Sequence, residues 1–323
     1  MAFRALTAAL LLAGASTAWA QNDDALLPTH LIDGGQVFAT GTLLYFGGDG
    51  DATFGPAGGD FKQSAFLLRL DAGIGLGMGF EVDASINYQF IGKTKSDFAA
   101  GGNTAEFESE NVGFGDLVLN PRWAPIRDSA TSPQLVVGAI LVAPVGNDKS
   151  GTTGTTINGV ETAQQEDGGN GDGIWRYGFE AGLSKRLTLV EPYMVVNYVF
   201  ADDRTKNGVK EEAADVLNIS VGAFIHLGSS VTLDARAVVT RLSEEKSETA
   251  GTQDEEEAHN IYTVQAALHL KAGSSATVLF TAGVSFVEDH EVSQLAQIDL
   301  EDGMNWFVGI GLHLLFGKAD PQK

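Results

Sequence analysis

Three short stretches of the 323-residue chain place residue types where chemistry could occur. Asp167-Gly168-Gly169-Asn170-Gly171-Asp172-Gly173 has the acid and glycine content of a calcium-cradling loop. Measured against the nonapeptide calcium turn, its aspartate comes one position early and nothing repeats it. Measured against the helix-loop-helix calcium loop, the closing glutamate is absent. The stretch reads as an outer loop running into a strand. His259 stands beside Glu255-Glu256-Glu257, and Asp289-His290-Glu291 forms a second group of His and acid. Facing His and Asp groups at the mouth of a barrel could activate water for hydrolysis. The same composition also describes a solvated acidic loop with incidental histidines, and that is the expectation here. No motif matches a Ser-His-Asn hydrolase. The chain is therefore expected to carry no catalytic residues, no metal ligands and no cofactor, and not to be an enzyme.

The remaining candidates are charges that recur at fixed parity. Arg69, Asp71, Glu81, Asp83, Asp116, Arg122, Arg176, Glu180, Arg186, Asp234 and Arg236 all fall on the polar positions of alternating segments, together with His226, His269 and His313. Arg69-Asp71 and Glu81-Asp83 flank one short turn, so they are expected to face each other across two strands. The alternation that places them is plainest at 80–90. There Phe80, Val82, Ala84, Ile86, Tyr88 and Phe90 alternate with Glu81, Asp83, Ser85, Asn87 and Gln89. Successive strand side chains point to opposite faces, so such a segment has one apolar and one polar face. A segment from Gln134 to Val145 is the exception, apolar on both parities with Val136, Ile140 and Val142 on the inner one.

Twelve such segments follow one another, at 36–47, 62–75, 79–92, 106–124, 133–146, 173–187, 191–203, 213–228, 231–246, 258–272, 276–290 and 302–316. Short Gly/Ser or Pro-Ile-Arg-Asp turns alternate with long polar connections that carry most of the acid. An even strand count with short turns at one end and long loops at the other is the layout of an all-β, transmembrane, antiparallel up-and-down barrel of about twelve strands. The apolar parity stays nearly free of charge, as a lipid face must: Lys or Arg at mid-bilayer costs roughly 2–4 kcal/mol. The exceptions Lys185, Asp215 and Arg241 sit at strand ends. Tyr88, Phe90, Trp175, Tyr177, Tyr198, Phe200, Tyr262, Phe286 and Trp306 cluster toward the long-loop end, and Phe80, Trp123 and Phe316 toward the other, as two interfacial girdles would. The charged parity then lines the lumen. There it either fills a narrow barrel with its own salt bridges or forms a constriction that guides a solute.

The N-terminus reads as an export signal. Arg4 precedes an apolar run to about Ala15, and Ala18-Trp19-Ala20 supplies a small-x-small cleavage pattern. Residues 1–20 are thus a signal peptide, and 21–35 a periplasmic segment that is either disordered or folded into the lumen. Residues 36–316 are the barrel and 317–323 a periplasmic tail. The chain has no cysteine, so burial or a closed sheet must hold it. Its net charge of −22, from 42 acidic and 20 basic residues, argues against nucleic acid as a partner. The last strand, NWFVGIGLHLLF, ends in alternating aliphatic and aromatic residues like the signal read by the barrel-insertion machinery.

One stretch carries a resemblance. Val112-Gly113-Phe114-Gly115-Asp116-Leu117-Val118-Leu119-Asn120-Pro121-Arg122-Trp123 is followed by Pro144-Val145-Gly146, then by the run from Gly171 to Leu187, then by a strand from Tyr193 to Tyr198. In this order the motifs resemble the outer-membrane transporters named for the meta-pathway of phenol degradation, over roughly residues 112–203. The resemblance implies an outer-membrane channel or transporter for hydrophobic or aromatic compounds, and it brings no catalytic residues. The expected partners are outer-membrane lipid and lipopolysaccharide of a Gram-negative cell and a small-molecule solute. The alternative is a structural or surface-interaction barrel with a closed lumen, whose acidic loops bind divalent cations.

Overall fold

The computed structural model describes residues 29–317, apart from 55–56, 147–150, 168–172, 207–208, 250–251 and 294–296. The expectations for residues 1–28 and 318–323, and most of the candidate calcium loop, lie outside these. The described residues form a single sheet of twenty segments. They are β1 (Val37–Phe54), β2 (Ala57–Gly77), β3 (Phe80–Ala100), β4 (Asn103–Phe114), β5 (Leu117–Ile126), β6 (Gln134–Ala143), β7 (Gly151–Ile157), β8 (Val160–Asp167), β9 (Arg176–Ser184) and β10 (Val190–Ala201). They continue with β11 (Arg204–Lys206), β12 (Val209–Glu212), β13 (Val216–His226), β14 (Val231–Leu242), β15 (Glu245–Thr249), β16 (Thr252–Glu256), β17 (His259–Lys271), β18 (Ala276–Val287), β19 (His290–Ser293) and β20 (Gln297–Phe316). Eight consecutive pairs, from β4/β5 to β18/β19, are single strands interrupted near the membrane surface. The chain is therefore a closed twelve-stranded antiparallel barrel. β20 closes it against β1, in register from Val37↔Phe316 to Phe54↔Ile298 with one irregularity at Asp49/Asp51.

The alternation sorts as the sequence requires. Outward positions are apolar and open, for example Leu70 (45% exposed), Val264 (59%) and Ile310 (48%), whereas the inward Arg122 (2%), Gln265 (3%) and Thr240 (0%) are buried. A continuous outward apolar surface of this kind is stable only against hydrocarbon. Aromatic pairs mark its outer edge. Tyr45 packs on Trp306 at 5.4 Å between ring centroids, Tyr88 on Phe114 at 4.8 Å and Phe179 on Tyr198 at 6.0 Å. At the other edge Phe80 stacks on Trp123 at 5.5 Å and 7°.

Two features depart from expectation. The long polar connections are largely strand: β1–β2, β3–β4 and β7–β8 continue as hairpins beyond the outer girdle. Both faces of an extended hairpin meet water, so its sequence loses the alternation by which a strand is recognised. The second departure is a β-bulge. Phe66 pairs with Ile91 and Leu67 with Gln89, so Phe90 is the extra residue. Phe90 and Ile91 both face outward, and beyond them Thr94, Ser96 and Phe98 are the buried set.

Residues 29–36 close the short-turn end. Gly35 N donates to Gly75 O at 2.8 Å and Gly75 N to Gln36 O at 3.0 Å, while Thr29 and Ile32 are buried inside the barrel wall. A Cβ on Gly75 would lie 2.2 Å from Asp33 O and 2.8 Å from Ile32 O, so only glycine lets this segment dock. Gly75→Leu is expected to expel it, read as faster protease cleavage near residue 30 of a barrel that still migrates as folded. Ile310→Arg, at mid-strand on the lipid face, should lower the stability of the detergent- or lipid-folded barrel by about 2–4 kcal/mol in urea unfolding. Lys95→Ala in the outer extension should leave that transition unmoved.

Candidate functional site: the lumen

The inward side chains form layers. Nearest the short turns, neighbouring strands place Glu81 opposite Arg122, Arg122 opposite Gly138, and Gly138 opposite Glu180. Arg122 pairs with Glu81 through Nη2, and its Nε lies 3.1 Å from Asp83 Oδ2. Gly138 leaves room for this: a Cβ there would sit 3.1 Å from Arg122 Cγ and from Asn120 Oδ1. Glu81 Oε2 also accepts from Ile32 N at 2.6 Å, so the docked N-terminal segment is fastened to the same carboxylate. Glu191, fully buried, accepts from His30 Nε2 at 2.5 Å.

Around the wall the pattern repeats with other partners. Arg69 donates through Nε to Asp71 Oδ1 at 2.8 Å. Asp234 accepts from Arg236 Nε at 2.9 Å and from Tyr193 OH at 2.9 Å. The expected facing of Arg69-Asp71 and Glu81-Asp83 is not found. The register sets Asp83 opposite Gly73 and Glu81 opposite Gly75, so Arg69 and Asp71 pair along their own strand and the other two carboxylates turn to Arg122.

Of the eleven charged candidates, Arg69, Asp71, Glu81, Asp83, Arg122, Arg176, Glu180, Asp234 and Arg236 are buried on the inner face. Arg176 stands apart from the rest near the outer end, opposite Val142. Asp116 is half-buried in the break between β4 and β5, where Oδ1 accepts from Gly146 N at 3.0 Å. Arg186 is exposed: it lies past the end of β9 in the turn, where parity no longer assigns a face. Of the histidines, His269 and His313 are buried, and Thr40 Oγ1 lies 2.8 Å from His313 Nδ1.

Above the charged layer the lining becomes neutral and then apolar. Asn197, Asn218 and Thr240 are cross-strand neighbours, with Thr240 Oγ1 donating to Asn218 Oδ1 at 2.6 Å. Beyond them Ile140, Val142, Val199, Val216, Leu242 and Ile261 pack together on the inner wall of β6, β10, β13, β14 and β17. Phe61, Phe98 and Leu300 form a second apolar cluster in the outer extension. Ile140 and Val142 of the apolar inner wall thus belong to a larger apolar patch, joined by residues that no single strand reveals, whereas Val136 lies nearer the short turns, opposite Gly182. A depression of about 470 Å³ lined by Ala39, Leu70, Ala84, Leu312 and Leu314 among others opens on the lipid-facing surface, not into the lumen.

At the outer mouth the two His/acid stretches converge. His259 and His290 stack with ring centroids 3.8 Å apart, and His290 Nε2 lies 3.4 Å from Glu256 Oε1. Burial lowers the His259 pKa, and neighbouring His290 lowers it further. Burial acts the same way on His290, but Glu256 and the Glu288 carbonyl outweigh it and the pKa lies above the usual value.

Comparison with known proteins agrees with this architecture. An outer-membrane channel from Pseudomonas putida F1 superposes with a TM-score of 0.58 at 13% identity, over 89% of this chain and 98% of that one. The transport unit of the autotransporter AIDA-I from Escherichia coli gives 0.50 at 12% identity, over 92% and 96%. No protein-family model and no curated protein sequence matches the chain, so the family resemblance rests on its own motifs. At these identities the likeness is one of fold: a barrel of the outer-membrane kind.

Proposed function

We propose that this chain is exported through its first twenty residues and works in the outer membrane as a gated channel for small molecules. The observation that carries the proposal is the buried charge in the lumen. Nine of the eleven charged candidates, and Glu191 with them, are less than a tenth exposed. A barrel that needed only filling would gain as much or more from apolar side chains, because buried ion pairs seldom repay their desolvation. Ionisable groups at membrane depth are by default functional. All but Arg176 lie below the apolar cluster, an order that suits a polar vestibule meeting a hydrophobic gate.

The favoured solute is hydrophobic or aromatic. The belt of Ile140, Val142, Val199, Val216, Leu242 and Ile261 supports this, since an apolar molecule gains free energy on leaving water for such a belt, whereas for an ion the lost hydration is unfavourable. The family resemblance of residues 112–203 points the same way. The closed structural barrel remains a second reading, favoured by the near-complete burial of the inward side chains.

Arg122 separates the two. Arg122→Met alone leaves Glu81 and Asp83 buried without their cation and should destabilise the barrel by about 3–5 kcal/mol. Adding Glu81→Gln and Asp83→Asn should restore most of that loss. In planar bilayers the full-length wild type is expected to open rarely and in small steps. The restored triple variant should open several-fold more often, with faster uptake of a monoaromatic solute into proteoliposomes. Silence from both proteins, each folded by heat-modifiable gel migration, would mean a structural barrel.

A further inference from the structure

We propose that Glu256, His259 and His290 form a binding site for a divalent transition metal of the zinc class at the outer mouth of the barrel. One ligating atom from each lies within 4.8 Å of the other two. The fold explains the convergence. β16 pairs with β19 so that Glu256 faces Val292, and His290, two residues along the same strand, shares that face. The break at 257–258, held by Glu257 N donating to Glu291 O at 3.0 Å, returns the chain inward at His259.

Three observations point to a metal and not merely to a polar cluster. The side chains of Glu256, His259 and His290 are all at least nine-tenths buried. Glu256 Oε2 has no hydrogen-bond partner among the described residues, an expensive state for a buried polar atom, and His290 Nε2 meets only Glu256 Oε1, at 3.4 Å. Each imidazole is also oriented from behind. His259 Nδ1 meets Glu257 O at 3.1 Å, and His290 Nδ1 meets Glu288 O at 3.0 Å. A carbonyl only accepts, so both Nδ1 atoms donate to it, and each imidazole would offer a metal its other nitrogen once that atom is free of a proton.

The donor set selects the ion. Two imidazoles and a carboxylate suit zinc and its neighbours, whereas calcium and magnesium require six or more oxygens. An ion about 2.0–2.1 Å from each donor would draw them to roughly 3.4 Å apart, within reach of side-chain rotation, and leave a fourth position open to water. The flanking Glu255, Glu257, Glu288, Asp289 and Glu291 give the mouth a negative field that concentrates cations. The site would also have a mechanical effect. Among the described residues β16 and β19 share two residue pairs, Glu255↔Ser293 and Glu256↔Val292, and the ligands come from both sides of that seam. A bound ion would tie together the two hairpins that frame the mouth.

The test is calorimetric titration of zinc chloride into the full-length, chelator-treated barrel in detergent, with cobalt(II) absorption as a second readout. One saturable site per chain is expected, with visible cobalt bands of an imidazole-containing site. Glu256→Gln and His290→Ala should each weaken binding by at least the roughly 10–100-fold that loss of even a supporting group causes. Both variants must show heat-modifiable migration, and a tenfold excess of calcium should not compete. Absence of saturable zinc binding, binding unchanged in both folded variants, or displacement by calcium would each overturn the assignment.

Discussion

The structure depends on one demand: a backbone crossing hydrocarbon has no water to pair with, so each peptide group must find another. The pairing of β20 with β1 meets it by leaving the sheet without an edge in the membrane. The rest follows. A closed sheet of alternating side chains has only two surfaces, one in lipid and one facing inward. Apolar residues must take the first, and every charge on a strand is driven to the second. The buried ionisable groups of the lumen are thus a consequence of closure as much as of selection for any solute. What closure does not dictate is the gathering of most of them, in pairs, at one end.

The barrel was legible in the sequence because hydrocarbon enforces the alternation strictly between the girdles, where all twelve strands were found. Legibility fails where that pressure stops. The outer hairpins are strands without alternation, because water bathes both faces. The bulge at Phe90 and Ile91 changes which parity is inward, and nothing in the local sequence signals it. Arg186 follows the parity of a strand that has already ended. Within the lumen, parity told which residues face inward but not which meet. Arg122 joins Glu81 and Asp83 because the register sets two glycines, Gly73 and Gly75, opposite those carboxylates. His259 and His290 are 31 positions apart, each in an acidic stretch that reads as solvated loop. Only a two-residue strand contact brings them together. A pair of His/acid groups at two successive outer strand ends was the one available signal.

The two ends of the lumen are closed by different physics. At the short-turn end closure is polar and directional. Glu81 gives one oxygen to Arg122 and the other to the backbone of Ile32, so the N-terminal segment and the charged layer share a carboxylate. Displacing the segment leaves Glu81 with an unmet acceptor and weakens the electrostatic case for the arrangement around it. On the proposed reading the two events would favour each other, as in a gate with two states.

At the outer end closure is apolar and non-directional. Valine, leucine and isoleucine side chains of the belt lose only contacts when they part, and an apolar solute replaces those contacts as it enters. Water or an ion does not, so on the proposed reading the belt would oppose hydrated species and admit hydrophobic ones. A solute moving inward would meet this filter first and the polar gate second. On the proposed reading, then, selectivity and control lie on different layers: the belt decides which molecules enter, and the Glu81–Arg122 layer with its docked segment decides when the path is complete.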